Sequence, residues 1–247
     1  MSIVTKIDPT IDLVSEIKRI AKEKNAVILA HYYQDGEIQD LADFVGDSLD
    51  LSRKAAETDA DMIVFCGVRF MAEVAKILSP QKKVVLPDME AGCSLEDSCQ
   101  PNDFAAFKAE HPDHMVLSYI NCSAAIKTMS DIIVTSSNAD YILSQLPQEQ
   151  KIIFAPDRHL GGYLNRKNDR DMVLWPGTCI VHERFSEKEL IKLKTQYPDA
   201  PVAAHPECPA HIVQHADFVG STSGILDFSL NHEADTLIIA TEPGIIP

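Results

Sequence analysis

Two cysteines are the residues best placed to do unusual chemistry. Cys93 sits in Glu-Ala-Gly-Cys-Ser and Cys179 in Pro-Gly-Thr-Cys-Ile-Val-His, 86 residues apart. Neither has a close CxxC partner, which gives a zinc ribbon little support. Thiols spread one per unit of a larger fold suit a metal cluster held at a central junction. Three thiolates on a [4Fe–4S] cluster would leave one iron open as a Lewis acid for a substrate oxygen. Of the other cysteines, Cys66 and Cys122 lie in or beside strands and read as small buried hydrophobes. Cys99 and Cys208 stay undecided. His182 follows Cys179 by three positions. That pair could serve zinc or a thiol nucleophile, but it has no second pair to support it. The remaining histidines, His111, His114, His159, His211, His215 and His232 among them, fall mostly in polar stretches and read as surface residues.

A second set of chemical groups recurs along the chain. His31, Tyr119 and His205 each end or follow a strand-like run, 88 and 86 residues apart. Seventeen residues after each stands a hydroxyl at a strand-to-helix turn: Ser48, Ser136 and Thr222, the last beside Ser221. Tyr33, Asn121 and Glu207 lie two residues beyond the three strand ends. In parallel α/β sheets, ligands bind at the carboxyl ends of strands. Three similar units facing one axis would bring these groups into one pocket. Ser or Thr at a helix start is ordinarily a cap. Three helix starts pointing inward would instead hold carboxylates or phosphate through their free N–H groups and positive ends.

The elements that must position these groups alternate. Ala26–Ala30 is a continuous apolar run, as in a strand buried on both faces. Further strands are predicted over 61–66, 83–86, 115–119, 131–135, 151–155, 201–204, 216–219 and 236–240. Helices are predicted over 49–57, 71–78, 104–109, 139–146 and 187–196. A first helix opens with Thr10 as its cap, carries Val14, Ile17, Ile20 and Ala21 on one face and stops at Asn25. The alternation means α/β architecture with parallel sheets. With a repeat of about 86 residues, it divides the chain into 1–100, 101–185 and 186–247. The fold expected is three pseudo-symmetric α/β repeats, each a small parallel-sheet sandwich, around a central site. The next repeat cysteine would fall about 86 residues after Cys179, beyond Pro247, so the third repeat reads as incomplete. Strand edges left open by that loss would favour instability or association.

Composition narrows the partners. The 247 residues carry 22 basic and 37 acidic side chains, a net charge of −15, which disfavours nucleic acid. No apolar run approaches the roughly 18 residues of a membrane span, and Met1–Pro9 lacks the pattern of a secretory signal. A cytoplasmic location is expected, where disulfides are rare. No Walker loop and no G-x-G-x-x-G is present.

Several segments together resemble the quinolinate synthase (NadA) family. They are Ala30–Gln34 running into Asp40–Ser48, Phe65–Glu73, Tyr119–Asn121, Thr135–Ala139, Trp175–Cys179 and His205–Cys208. The resemblance covers nearly the whole chain, in order. It implies three α/β domains around one pocket and a [4Fe–4S] cluster with one cysteine per domain, Cys93 and Cys179 being two of them. It implies condensation of iminoaspartate with dihydroxyacetone phosphate to quinolinate, phosphate and water on the de novo route to NAD. His31, Ser48, Tyr119, Asn121, Ser136, His205, Glu207, Ser221 and Thr222 would line the substrate site. Tyr33 and Glu207 resemble the family's acid/base pair, with Tyr119 a further proton donor. A separate oxidase or dehydrogenase would supply iminoaspartate, and a homodimer is the default assembly. The third cluster cysteine of the family lies past Pro247; Cys99 and Cys208 are the stand-ins within the chain. A shortened, non-catalytic paralogue without a cluster is the alternative. A zinc or thiol hydrolase using Cys179, His182 and His205 ranks below both.

Overall fold

A computed structural model describes residues 8–246. Most of the stretch read for a targeting signal lies outside them. The first unit runs α1 (Leu13–Glu23), β1 (Ala26–His31), α2 (Gly36–Leu41), β2 (Phe44–Gly46), α3 (Ser48–Glu57), β3 (Met62–Cys66), α4 (Arg69–Leu78), β4 (Lys83–Val85) and α5 (Ser94–Ser98). The second runs α6 (Pro101–Ala109), β5 (Met115–Tyr119), α7 (Ala124–Thr128), β6 (Ile132–Val134), α8 (Ala139–Ser144), β7 (Ile152–Ala155), α9 (Arg158–Asn168), β8 (Val173–Leu174) and α10 (Ile180–Glu183). The third runs α11 (Glu187–Gln196), β9 (Val202–Ala204), α12 (Ala210–Val213), β10 (Phe218–Val219), α13 (Thr222–Asn231) and β11 (Ile238–Ala240). A 3-10 turn, Pro243–Ile245, follows.

Three separate parallel sheets result, ordered β2-β1-β3-β4, β6-β5-β7-β8 and β10-β9-β11. The repeat of the sequence is thus a repeat of strand order. The third sheet has three strands among the described residues. The same aspartate pins each sheet. Asp43, Asp131 and Asp217 each accept from the backbone N–H fifteen residues earlier, at Ile28, Val116 and Val202, over 2.7–2.8 Å. Each bond ties the start of a central strand to the entry of its neighbour. Sequence spacing alone had not singled this aspartate out.

The first two units share one core, in which Leu29 and Phe65 join Leu117 and Phe154. The third unit packs its own smaller cluster around Val202, Ala204 and Ile212. Of the predicted helices, 187–196 matches the structure, and the others shift by a few residues. α9 escaped prediction because Gly161 and Gly162 lower its helical propensity. Gly161 lets α9 lie close on its sheet: a Cβ there would meet Leu174 at 2.6 Å and Phe154 at 2.9 Å. α1 corrects one expectation, since Asp12 caps it rather than Thr10, by accepting from Ser15 N–H. Asn25, at φ 45°, does end it. Its apolar face stays uncovered among the described residues, with Val14 51% exposed.

Candidate active site

The three central strands deliver their carboxyl ends to one cavity of about 340 Å³, a size suited to small molecules. Of the twelve residues singled out from sequence, eleven line it: His31, Tyr33, Ser48, Cys93, Tyr119, Asn121, Ser136, Cys179, His205, Glu207 and Thr222. Ser221 does not. Its hydroxyl accepts from Gly224 N–H and caps α13. No lysine or arginine lines the cavity among the described residues. An anionic ligand would therefore be held by helix N-termini, neutral donors and any metal present.

The capping expectation divides. Ser48 does not cap α3; Asp47 does, accepting from Leu49 and Asp50 N–H at 2.9 and 3.0 Å. Ser136 does not cap α8 either; the preceding loop is held by Asn138, which accepts from Thr135 N–H. The Ser48 and Ser136 hydroxyls are thus left at the cavity wall. Asp47 does more than cap. Its second oxygen accepts from Ser137 Oγ at 3.0 Å and Ser223 Oγ at 2.6 Å. One buried carboxylate of the first unit therefore joins the second and third.

His31 and His205 are fixed in one form. Tyr33 N–H donates to His31 Nδ1 and Glu207 N–H to His205 Nδ1. With Nδ1 accepting, the neutral ring carries its proton on Nε2. Burial pushes both imidazoles down to about 4, so both are neutral donors at pH 7. His205 Nε2 lies 3.3 Å from Ser136 Oγ.

Glu207 is 4% exposed and receives the Tyr119 hydroxyl at 2.6 Å. Burial opposes its charge. The His205 and His182 imidazoles and the Tyr119 hydroxyl outweigh that and hold its carboxyl below the usual range. Tyr119 is raised by burial and by the Glu207 charge, so it keeps its proton and donates it. Of the two tyrosines expected to serve as proton donors, Tyr119 is the one hydrogen-bonded to Glu207, and the Tyr33 hydroxyl meets Thr222 at 2.8 Å and Thr241 at 3.1 Å. Asn121 Oδ1 is buried without a partner, as expected of an atom kept for a ligand.

Cys93 and Cys179 reach the same cavity by equivalent routes. Arg69 N–H donates to Ala91 O and Arg158 N–H to Gly177 O, each over 2.9 Å, tying each cysteine loop to the helix after the third strand of its unit. Ile180 N–H then donates to Ser94 Oγ at 3.0 Å, joining the two loops beside their cysteines. Asp157 supports Cys179, accepting from its N–H at 3.3 Å and capping α9 through Leu160. It is fully buried, and its φ of 94° is strained for a side chain other than glycine. Burial pushes the Cys93 thiol up to about 12 and raises Cys179 too, so both hold their protons at pH 7.

None of the other four cysteines lines the cavity. Cys99 and Cys122 share a core with Phe104 and Trp175, and Cys208 Sγ donates to Ala240 O. The half-buried Cys66 is the exception to its reading as a buried hydrophobe. The reading of the remaining histidines as surface residues is also corrected in part. His114, His159 and His215 are half-buried against Asp113, Glu183 and Glu187.

His182, which the sequence offered only as a weakly supported pair with Cys179 and in the low-ranked hydrolase set, proves central to the site. It is 2% exposed, its ring stacks on His205 at 5.0 Å, and its Nδ1 lies 3.1 Å from Glu207 Oε2. Cys179, His182 and Glu207 place one donor atom each within 4.8 Å of one another, a set consistent with metal binding. The signal in the sequence was the position three after Cys179. For Asp47 it was the Gly-Asp-Ser turn itself.

Comparison with known proteins identifies the family. The family model described as quinolinate synthetase A protein matches residues 15–247. The chain belongs to the quinolinate synthetase A (NadA) family. It is 62% identical over 235 residues to a quinolinate synthase of Microcystis aeruginosa, covering 95% of this chain and 74% of that one. It is 63% identical to that of Synechocystis sp. over the same shares. With that of Chloroherpeton thalassium it shares 61% over 236 residues, covering 96% and 73%. The chain thus spans about three quarters of the length of these NadA relatives. No helix among the described residues is long and apolar enough to cross a membrane.

Proposed function

We propose that this chain is a quinolinate synthase, condensing iminoaspartate with dihydroxyacetone phosphate to quinolinate, phosphate and water. The observation that carries the reading is a single cavity where Tyr119 and Glu207, from different units, are already hydrogen-bonded among cation-free walls. Two carboxylates and a phosphate need compensation there. The N-terminus of α13, with the Thr222 hydroxyl at its first position, and the Ser48 hydroxyl supply part of it, whereas the first N–H groups of α3 are already taken by Asp47. The neutral Nε2–H groups of His31 and His205 supply donors that do not compete for the substrate's protons.

Ring formation requires a proton taken from carbon and protons given to departing oxygens. Glu207, charged at pH 7, is the base. Tyr119, bonded to it, returns a proton from the same place. Tyr33, held by Thr222 and Thr241, is the second donor, linked to Glu207 through Thr241 and His182.

A [4Fe–4S] cluster is the cofactor this reading implies. The chemistry of the donors fits two of its ligands: Cys93 and Cys179 face one cavity on loops tied together beside them. No third cysteine reaches the cavity among the described residues. Such a cluster, held by Cys93 and Cys179, would supply Lewis acidity for the loss of a substrate oxygen. A separate enzyme producing iminoaspartate is the pathway partner.

The test is quinolinate production by protein prepared without oxygen, with iminoaspartate generated in place and iron and acid-labile sulfide measured per chain. Glu207→Gln should lower turnover by about a hundredfold or more and leave iron and sulfide unchanged. Wild-type turnover in that variant would sink the assignment. Protein that holds no iron would point to the cluster-free paralogue.

A further inference from the structure

We propose that Cys179, His182 and Glu207 form a site for one tetrahedral divalent cation of the zinc class, which excludes the iron–sulfur cluster by occupying Cys179. The three donor atoms already lie within 4.8 Å of one another, Cys179 and His182 from the N-cap and body of α10 and Glu207 from the loop after β9. The arrangement does not depend on whether the chain makes quinolinate.

The decisive detail is an orphaned atom. His182 Nδ1 is buried and makes no hydrogen bond, although Glu207 Oε2 lies only 3.1 Å away. An imidazole and a carboxylate at that distance, without hydrogen-bond alignment, are arranged like two corners of a coordination shell. Bonds of 2.0–2.1 Å at tetrahedral angles place nitrogen and oxygen ligands about 3.3 Å apart.

The groups behind the ligands have the form expected around a metal. The other ring nitrogen of His182, Nε2, meets Thr241 Oγ1 at 3.1 Å, and the other oxygen of Glu207 receives the Tyr119 hydroxyl at 2.6 Å. Such contacts set ring orientation and ligand basicity in metal sites. One sulfur, one nitrogen and one oxygen form a borderline-soft set that suits zinc and not magnesium or calcium. All three residues face the cavity, which leaves the fourth position to water, as in open zinc sites. On binding, the cation replaces the Cys179 thiol proton, which leaves to solvent. A cluster iron needs the same sulfur, and a second cation bonded to it would sit within a few ångströms of the first. Cys93 belongs to the cluster's donors alone, so the two metal sites overlap at one residue.

The test uses the full chain before cluster loading, with Co²⁺ as a spectroscopic probe and Zn²⁺ in competition with a chromophoric chelator. One equivalent of Co²⁺ should give a tetrahedral spectrum with a thiolate charge-transfer band, displaced by one equivalent of Zn²⁺. Cys179→Ser and His182→Ala should each weaken binding at least tenfold, and Cys93→Ser less than threefold. His182→Asn, nearer in shape, repeats the histidine test, with circular dichroism to establish folding. Zinc-loaded protein should take up no iron and sulfide on reconstitution. The proposal is overturned if the thiolate band is missing, if folded His182 variants bind zinc as the wild type does, or if zinc and cluster are retained together. A failure here would leave quinolinate formation and its Glu207 test untouched.

Discussion

Replacing Asp47 by Ala removes one carboxylate that holds three units of chain. Two losses add. The α3 cap, through Leu49 and Asp50 N–H, is worth about 1 kcal/mol. The bonds from Ser137 Oγ and Ser223 Oγ are hydroxyl-to-carboxylate bonds at a part-buried junction. Each should contribute about 1 kcal/mol, toward the low end for charge-assisted bonds because the freed hydroxyls can turn to water. The total is about 3 kcal/mol, or a fall of about 6–12 °C in Tm for a chain of this size. A double-mutant cycle separates cap from junction. Ser223→Ala alone should cost about 1 kcal/mol, and its coupling to Asp47→Ala should be of the same size. The assay is thermal and urea unfolding followed by circular dichroism on all four proteins. If Asp47→Ala costs only the cap and the coupling is zero, the junction contributes nothing to holding the units together. The three-way reasoning is then refuted.

Acid should destabilise the fold through His31 and His205. Their folded values of about 4 lie below the ordinary imidazole value of about 6.5. Between the two, the unfolded chain binds protons that the folded chain refuses. Stability is complete above pH 6.5 and is lost as the pH falls toward 4, by on the order of 3 kcal/mol per histidine at the lower end. Equal urea midpoints at pH 7.5 and pH 5 would contradict this. Gly161→Ala would press a methyl group into Leu174 and Phe154. Its expected cost is about 1–3 kcal/mol, read as a lower Tm with the secondary structure unchanged, and a raised Tm would show that α9 can move away from its sheet.

Much of the site was legible before any coordinates. Short buried strands in parallel sheets carry continuous apolar runs, so β1, β5 and β9 announce themselves, and the polar residue that ends or follows each run, His31, Tyr119 or His205, marks the cavity. Edge strands of two or three residues, such as β2 and β8, hold too few apolar positions to show a period. The helices α5, α7, α10 and α12 are four or five residues long and leave no periodic trace either. His182 looked incidental because one histidine near one cysteine is common. Only Glu207 approaching from the third unit makes it part of a donor set.

The sequence by itself determined the threefold repeat, the α/β class and the residue types at the strand ends, because strand burial, helix periodicity and turn chemistry are local in the chain. Tertiary structure decided how those groups meet. It hydrogen-bonded Tyr119 to Glu207 and Tyr33 to Thr222 and Thr241, and set Ser221 to capping rather than to the cavity wall. It fixed both imidazole tautomers and gave Asp47 its three-way role. These outcomes depend on contacts between groups as far as 208 residues apart, as with Tyr33 and Thr241. No local pattern encodes such contacts; the packing of three sheets against one cavity produces them.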